Sequence, residues 1–210
     1  MDVASRLSSF FVHTARIYDA LDVSIAKALS EELKRAAERP PAWFERDRQV
    51  PAAVGFIPQV LETPDWASNE LHSDLRAISG HLPWKARMAS AIGNDFHLKY
   101  SAVELIGSEG IVHSDNCRLG LFLMVPDEFY ASHHHAAEEL YFVLSGTAEW
   151  QVDEDPFRTL APRDFTHHAS WQPHATQTLS KPLLAIWGWT GDLDFKKYKM
   201  VNDTGLSDTG

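Results

Sequence analysis

His133-His134-His135-Ala136-Ala137-Glu138-Glu139-Leu140-Tyr141-Phe142-Val143-Leu144-Ser145-Gly146 holds the densest metal-ligand chemistry in the 210-residue chain. Successive side chains of a β-strand leave opposite faces, so His133 and His135 share a face, and Glu139 and Tyr141 continue that odd parity. A turn near Ala136 and Ala137 would break the count, but the apolar run 140–144 still reads as a strand returning beside the histidines, ended by Gly146. Neutral imidazoles with one carboxylate suit zinc, iron(II), manganese, nickel or copper. Calcium and magnesium prefer all-oxygen shells.

Working outward, segments 98–106, 119–125, 140–144, 147–152 and 183–189 are short, rich in β-branched or aromatic residues and separated by turn residues. That pattern predicts an antiparallel β-sandwich or barrel. Upstream the period is helical. Leu7, Phe10, Phe11, Thr14, Ile17 and Leu21 form one stripe, and Val23, Ala26, Leu29 and Leu33 continue it in a second helix capped by Asp22 and ended by Pro40-Pro41. A third helix runs from Ser68 or Asn69 through Ile78 to Gly80, with Glu70 near its positive end. A fourth is expected over 84–92, closing at Gly93-Asn94, and the segments carrying Pro51, Pro58 and Pro64 read as ordered loops. No linker signal separates the halves. The expectation is one domain, with a helical half (1–97) packing on a β-barrel (98–195) and a C-terminal tail (196–210).

The composition, 44% hydrophobic with seven tryptophans, supports a packed core, and a net charge of −10 disfavours nucleic acid or another polyanion as partner. Lys196-Lys197-Tyr198-Lys199 reads as a solvated face. Cys117 is the single cysteine, so no intrachain disulfide forms, and its place beside an apolar run favours a packed thiol over a catalytic one. There is no cationic start followed by a long apolar core, and no window approaches 18 apolar residues, which predicts a soluble cytoplasmic protein without a membrane partner. Exposed strand edges of an open barrel favour a homodimer.

His133-x-His135-x-x-x-Glu139, with Gly146 seven residues later, resembles the first motif of the cupins, small antiparallel double-stranded β-helix (jelly-roll) barrels that hold a metal with two histidines, a glutamate and a later histidine. Ala169-Ser170-Trp171-Gln172-Pro173-His174 stands where that last histidine belongs, which makes His174 the fourth ligand, although the motif's proline and glycine are missing. The glycine usually found six residues before the first histidine is replaced by Asp127. His167 and His168 are rivals to His174 at a less suitable interval; His134 and Glu138 have the outward parity.

Tyr141, two positions after Glu139, points with it toward the ion, and Tyr130 reaches the same pocket from the rim. Tyr130-(four residues)-His135-x-x-x-Glu139-x-Tyr141, the phrase 137–141 and the closing Trp187-Gly188-Trp189-Thr190-Gly191-Asp192 are similar to the cupin-type dimethylsulfoniopropionate (DMSP) lyases of marine bacteria. The resemblance implies one divalent transition metal on His135, Glu139 and His174, with His133 a ligand or a neighbour and Tyr141 near or on the metal. It further implies a tyrosine base, Tyr141 or Tyr130, for a β-elimination of DMSP to acrylate and dimethyl sulfide. Trp171, Trp187, Trp189 and Phe129 are candidates to hold the sulfonium by cation–π contact. A non-haem iron dioxygenase with the same ligands is the main alternative. A small hydroxy-acid or sugar isomerase and a catalytically silent sensor follow, the last disfavoured by the lack of a basic recognition helix.

Overall fold

The computed structural model describes residues 1–43, 50–85 and 99–201. Helix α1 (Val3–Asp19) starts on Asp2, whose carboxylate accepts the Ser5 N–H at 2.7 Å, and α2 (Ser24–Ala37) follows after a short turn. The residue before α2 is Val23, which makes no side-chain cap, so Asp22 is not the cap expected of it. Segments 52–56 and Ile57–Glu62 are helical rather than loops. Pro58 sits in the first turn of α3 (Ile57–Glu62), where its missing N–H costs nothing. Helix α4 (Asn69–Ile78) has Ser68 accepting the N–H groups of Glu70 and Leu71. The helix expected over 84–92 lies, beyond Lys85, outside the described residues, and Lys85 itself pairs with Ala102 in an extended bridge.

Among the described residues, eleven strands then build two facing sheets, a mainly β architecture with helices. They are β1 (Tyr100–Gly107), β2 (Val112–His113), β3 (Arg118–Met124), β4 (Phe129–His134), β5 (Ala137–Ser145), β6 (Ala148–Val152), β7 (Arg158–Leu160), β8 (Phe165–His168), β9 (His174–Thr178), β10 (Leu183–Gly191) and β11 (Lys199–Met200). One sheet runs β2-β1-β3-β10-β5-β8, the other β11-β4-β9-β6-β7, and all pairs but β1 with β2 are antiparallel.

The six-stranded sheet is covered on both faces, which is why its strands read as unbroken apolar runs. Leu140, Phe142 and Leu144 of β5, with Leu184 and Ile186 of β10 and Leu119, Leu121 and Leu123 of β3, pack under the helices. The alternate residues Tyr141, Val143, Ala185, Trp189, Phe122 and Met124 face the barrel interior. Tyr18 of α1 meets Phe142 edge-to-face at 6.1 Å, an arrangement worth about 1 kcal/mol beyond its burial. The helical half therefore shares one core with the sheet. Gly188 lets α2 lie against β10, because a Cβ there would meet Leu29 Cδ1 at 2.6 Å. Gly146 turns the chain at φ +83° after β5.

Two departures from the cupin motifs have a conformational explanation. Asp127, at the place of the first missing glycine, has φ +56°, and Trp171, at the place of the second, has φ +64°. Each backbone keeps the left-handed turn that glycine normally supplies, stabilised by Asp127 N–H to Leu179 and Trp171 N–H to His135 carbonyls, both 2.8 Å. Aspartate tolerates that region; a tryptophan in it bears a strain of about 1–2 kcal/mol. Among the described residues no helix is long and apolar enough to cross a membrane.

Candidate metal centre and pocket

The odd-parity count holds only in part, because the chain changes sheets between His134 and Ala137: β4 belongs to one sheet and β5 to the other. The residues meet by pairing instead. His133 of β4 stands opposite His174 of β9, and Glu139 of β5 stands opposite His168 of β8. The β4–β9 register shifts between Tyr130 and His133, so these two residues, three apart, both turn inward, at 3% and 2% exposure. Phe129, beside them, is 52% exposed.

Glu139 is the hub. Its Oε2 lies 3.2 Å from His135 Nε2, 3.1 Å from His174 Nε2 and 3.3 Å from His168 Nδ1, while Oε1 accepts the Trp189 indole N–H at 2.6 Å. The other nitrogen of three rings is tied to a backbone carbonyl: His133 Nδ1 to Ala131 (2.9 Å), His135 Nδ1 to Ala137 (3.0 Å) and His174 Nδ1 to Gln172 (2.9 Å). With Nδ1 donating there, the proton is on Nδ1 and each Nε2 turns a lone pair inward, the tautomer a metal ligand requires. His174 Nε2 is buried with no aligned hydrogen-bond partner despite the nearby Glu139 oxygen. One ligand atom each from His133, His135 and His174 lie within 4.8 Å of one another, as do those of Glu139, His168 and His174. An orphaned His174 nitrogen beside a carboxylate and two more imidazoles fits a divalent transition ion, with no preference among zinc, iron(II), manganese and nickel.

Electrostatics agree. Burial works to raise the Glu139 carboxyl, but the His135 imidazole, and after it the His168 and His174 rings, outweigh it and hold the group well below the usual carboxylate range. Burial, and next the His174 ring, push His133 well below its ordinary value and His168 to about 3. His133 and His168 therefore stay neutral at pH 7. Because the unfolded histidines take protons near 6.5 and the folded ones resist them, the unfolded state binds more protons between about pH 6.5 and 3. Metal-free protein should therefore lose thermal stability as pH falls through that window, and a midpoint constant from pH 7 to 4 would contradict the buried neutral rings.

His133, His135 and Glu139 close one end of a small cavity of about 70 Å³, with Tyr130, Tyr141, Phe122, Trp187, Trp189, Phe195 and Tyr198 around it and the Glu104–Arg118 ion pair on its wall. Both phenols that sequence singles out are buried: burial first, and then Tyr198 for Tyr130 and the Glu139 charge for Tyr141, push them well above the ordinary phenol value. Tyr130 and Tyr198 hydroxyls are 2.7 Å apart. Phe129 and Trp171, candidates for substrate contact, do not line the cavity. Trp171 is 43% exposed and meets His134 edge-on at 5.5 Å, and Phe129 points off the outer face of β4. Trp189 is engaged on its ring by His135 at 4.2 Å and by Phe195 at 5.9 Å, so of the tryptophans only Trp187 offers the cavity an uncommitted group, its buried and unpartnered Nε1–H. Glu138 pairs with His167 at 2.7 Å.

Of two further residues of the site, a sequence reading ranks one only as a rival ligand and misses the other. His168 is fully buried against Glu139 and His174, placed there by a strand pairing no local pattern reveals. Tyr198, within a lysine cluster that looks solvated, is 9% exposed and stacks on His133 at 5.0 Å, because β11 adds to β4. The only signal for it was an aromatic among lysines. Cys117 is a packed thiol, fully buried and pushed up to about 12 by burial. It should resist a thiol-labelling reagent in folded protein, and labelling at the rate of the unfolded chain would contradict that burial.

A family profile for dimethylsulfoniopropionate lyases matches residues 24–185. The chain is 39% identical over 148 residues to the dimethylsulfoniopropionate lyase DddQ of Ruegeria pomeroyi, covering 70% of this chain and 73% of the relative. Among solved structures, a chain from the study of the DMSP lyases RdDddP and RnDddQII superposes with a TM-score of 0.68 at 25% identity, covering 95% of this chain and all of that one. The crystal structure of DddQ from Ruegeria pomeroyi superposes with a TM-score of 0.61 at 27% identity, covering 83% and 94%. The family match spans residues 24–185, most of the chain, and the chain belongs to the DMSP lyase family.

Proposed function

We propose that this protein is a metal-dependent carbon–sulfur lyase that cleaves DMSP to acrylate and dimethyl sulfide, with His135, Glu139 and His174 as metal ligands, His133 beside them and Tyr141 as base. The observation that carries the reading is that His133, His135 and Glu139 line an aromatic-walled cavity that also holds the Tyr141 phenol, with ring nitrogens of His133, His135 and His174 within 4.8 Å of one another. A zwitterionic sulfonium carboxylate matches this lining. Its carboxylate belongs at the histidine end, within reach of the Trp187 indole N–H, and its soft cation against the faces of Phe122 and Tyr130.

When bound, the ion supplies positive charge that stabilises negative charge growing on the substrate carboxylate and lowers the pKa of the nearby phenol. Tyr141 takes the proton from the carbon next to the carboxylate. The electron pair left behind forms the carbon–carbon double bond as the carbon–sulfur bond breaks, and neutral dimethyl sulfide departs. Tyr141 is preferred to Tyr130 because its hydroxyl lies against the Glu139 carboxylate, whereas the Tyr130 hydroxyl is held by Tyr198. Trp189 braces Glu139 through its indole N–H, so its part is to orient a ligand rather than to bind the sulfonium.

Headspace detection of dimethyl sulfide from metal-loaded protein and DMSP, with a chelator-treated sample alongside, tests the reading. Release that the chelator abolishes is expected. No release with zinc, iron(II), manganese or nickel would overturn DMSP as substrate, and oxygen consumption with iron(II) would favour the dioxygenase.

A further inference from the structure

We propose that His168 is a positioning residue of the metal centre: its Nδ1–H holds the Glu139 carboxylate and its ring face holds the His174 imidazole, so it sets metal affinity without being a ligand. The inference rests on the reading of Glu139 and His174 as ligands.

Distance alone would admit His168 to the ligand set, since its ring nitrogen lies within 4.8 Å of the Glu139 and His174 ligand atoms. Orientation excludes it. An imidazole binds an ion in its own plane, along the nitrogen lone pair. The His168 and His174 rings are stacked, centroids 3.9 Å apart and planes 16° apart, so an ion in the plane of one lies off the face of the other. His133 and His135 cross His174 at 66° and 77°, and their planes do intersect it.

The tautomer separates His168 from the others as well. His133, His135 and His174 spend Nδ1 on backbone carbonyls. His168 instead turns Nδ1 to Glu139 Oε2 at 3.3 Å and Nε2 to the Thr166 hydroxyl at 3.4 Å. A hydroxyl donating to Nε2 puts the ring proton on Nδ1, where the carboxylate accepts it. His168 has no exposed surface and meets Glu139 from the paired strand β8, where it fixes which lone pairs that carboxylate presents to an ion. Groups that orient a ligating carboxylate or histidine in this way contribute about 10–100-fold to metal affinity.

The test is Zn²⁺ affinity of the full chain, measured by chelator competition without substrate. His168→Phe keeps a flat ring but loses the donor, and should raise Kd about 10–100-fold. His168→Asn keeps an N–H near the Nδ1 position and should recover most of that loss. Thr166→Val removes only the hydroxyl that fixes the tautomer and should weaken binding a few-fold, which also reads the relay if the phenylalanine variant fails to fold. A Kd unchanged in His168→Phe, or in Thr166→Val, would overturn the proposal, as would equal losses in His168→Phe and His168→Asn, the mark of a true ligand. A parent chain that binds no Zn²⁺ would overturn the ligand reading itself, whereas one that binds Zn²⁺ but leaves DMSP intact would refute only the proposed substrate.

Discussion

His135→Ala is expected to leave the protein folded and unable to retain its metal through dialysis, with dimethyl sulfide release falling to the level of the chelator-treated parent. The size follows from what the ring does. Losing a group that merely orients a ligand costs about 10–100-fold in affinity, and losing a ligand costs more. His135 is also the group that most strongly keeps Glu139 ionised, after the burial that opposes it. Without it a buried carboxylate keeps its desolvation cost and loses its main compensation, so Glu139 takes up a proton more readily and stops being a good ligand. The substitution therefore weakens two ligands. Metal analysis of dialysed protein checks this, and a variant holding one ion per chain would remove His135 from the ligand set. The cavity left by the ring costs stability as well, but the fold rests on the core between helices and sheet, on the opposite face of β5 from His135.

How much of this was readable beforehand depends on how far apart in sequence the contacts are. The strand 140–144 was legible because a sheet covered on both faces gives an uninterrupted apolar run, and it is observed as Ala137–Ser145. The histidine–glutamate cluster was legible because most of it lies in one stretch with one downstream histidine. The parity argument that joined His133 to Tyr141 failed at Ala136, where the chain passes from one sheet to the other, and the same grouping arises through the pairs His133–His174 and Glu139–His168. Pairing between β5 and β8 joins residues 29 positions apart, which no periodicity encodes, and so His168 read as a weaker rival for a ligand role. Tyr198 was hidden for the opposite reason: its neighbours in sequence are lysines, and its burial is decided by a two-residue strand adding to β4. The glycines missing at positions 127 and 171 looked like damage to the motif. Positive φ at both shows that the turn geometry survived the loss of the residue that usually provides it.

Tyr141→Phe should retain the fold and the metal yet lose most of the elimination rate, a drop of about 10²–10⁴-fold if the hydroxyl is the general base. The ring is held by Phe122 at 5.9 Å, Trp150 at 6.1 Å and His168 at 5.9 Å, contacts that phenylalanine repeats. What disappears is one oxygen next to Glu139. In the protein alone that oxygen is a poor base, since burial and the Glu139 charge both keep its proton on. The opposing charge has to come from the bound cation, so the rate should be steep in metal occupancy in the parent and much shallower in Tyr141→Phe, where the ion still stabilises the substrate carboxylate but has no phenol to ionise. Dimethyl sulfide release measured against added Zn²⁺ in both proteins reads this difference directly. Tyr130→Phe is the control: it breaks the hydroxyl pair with Tyr198 and leaves Tyr141 in place, so its loss should be the smaller. The reverse order would transfer the base to Tyr130, and full activity in both variants would refute a tyrosine base altogether.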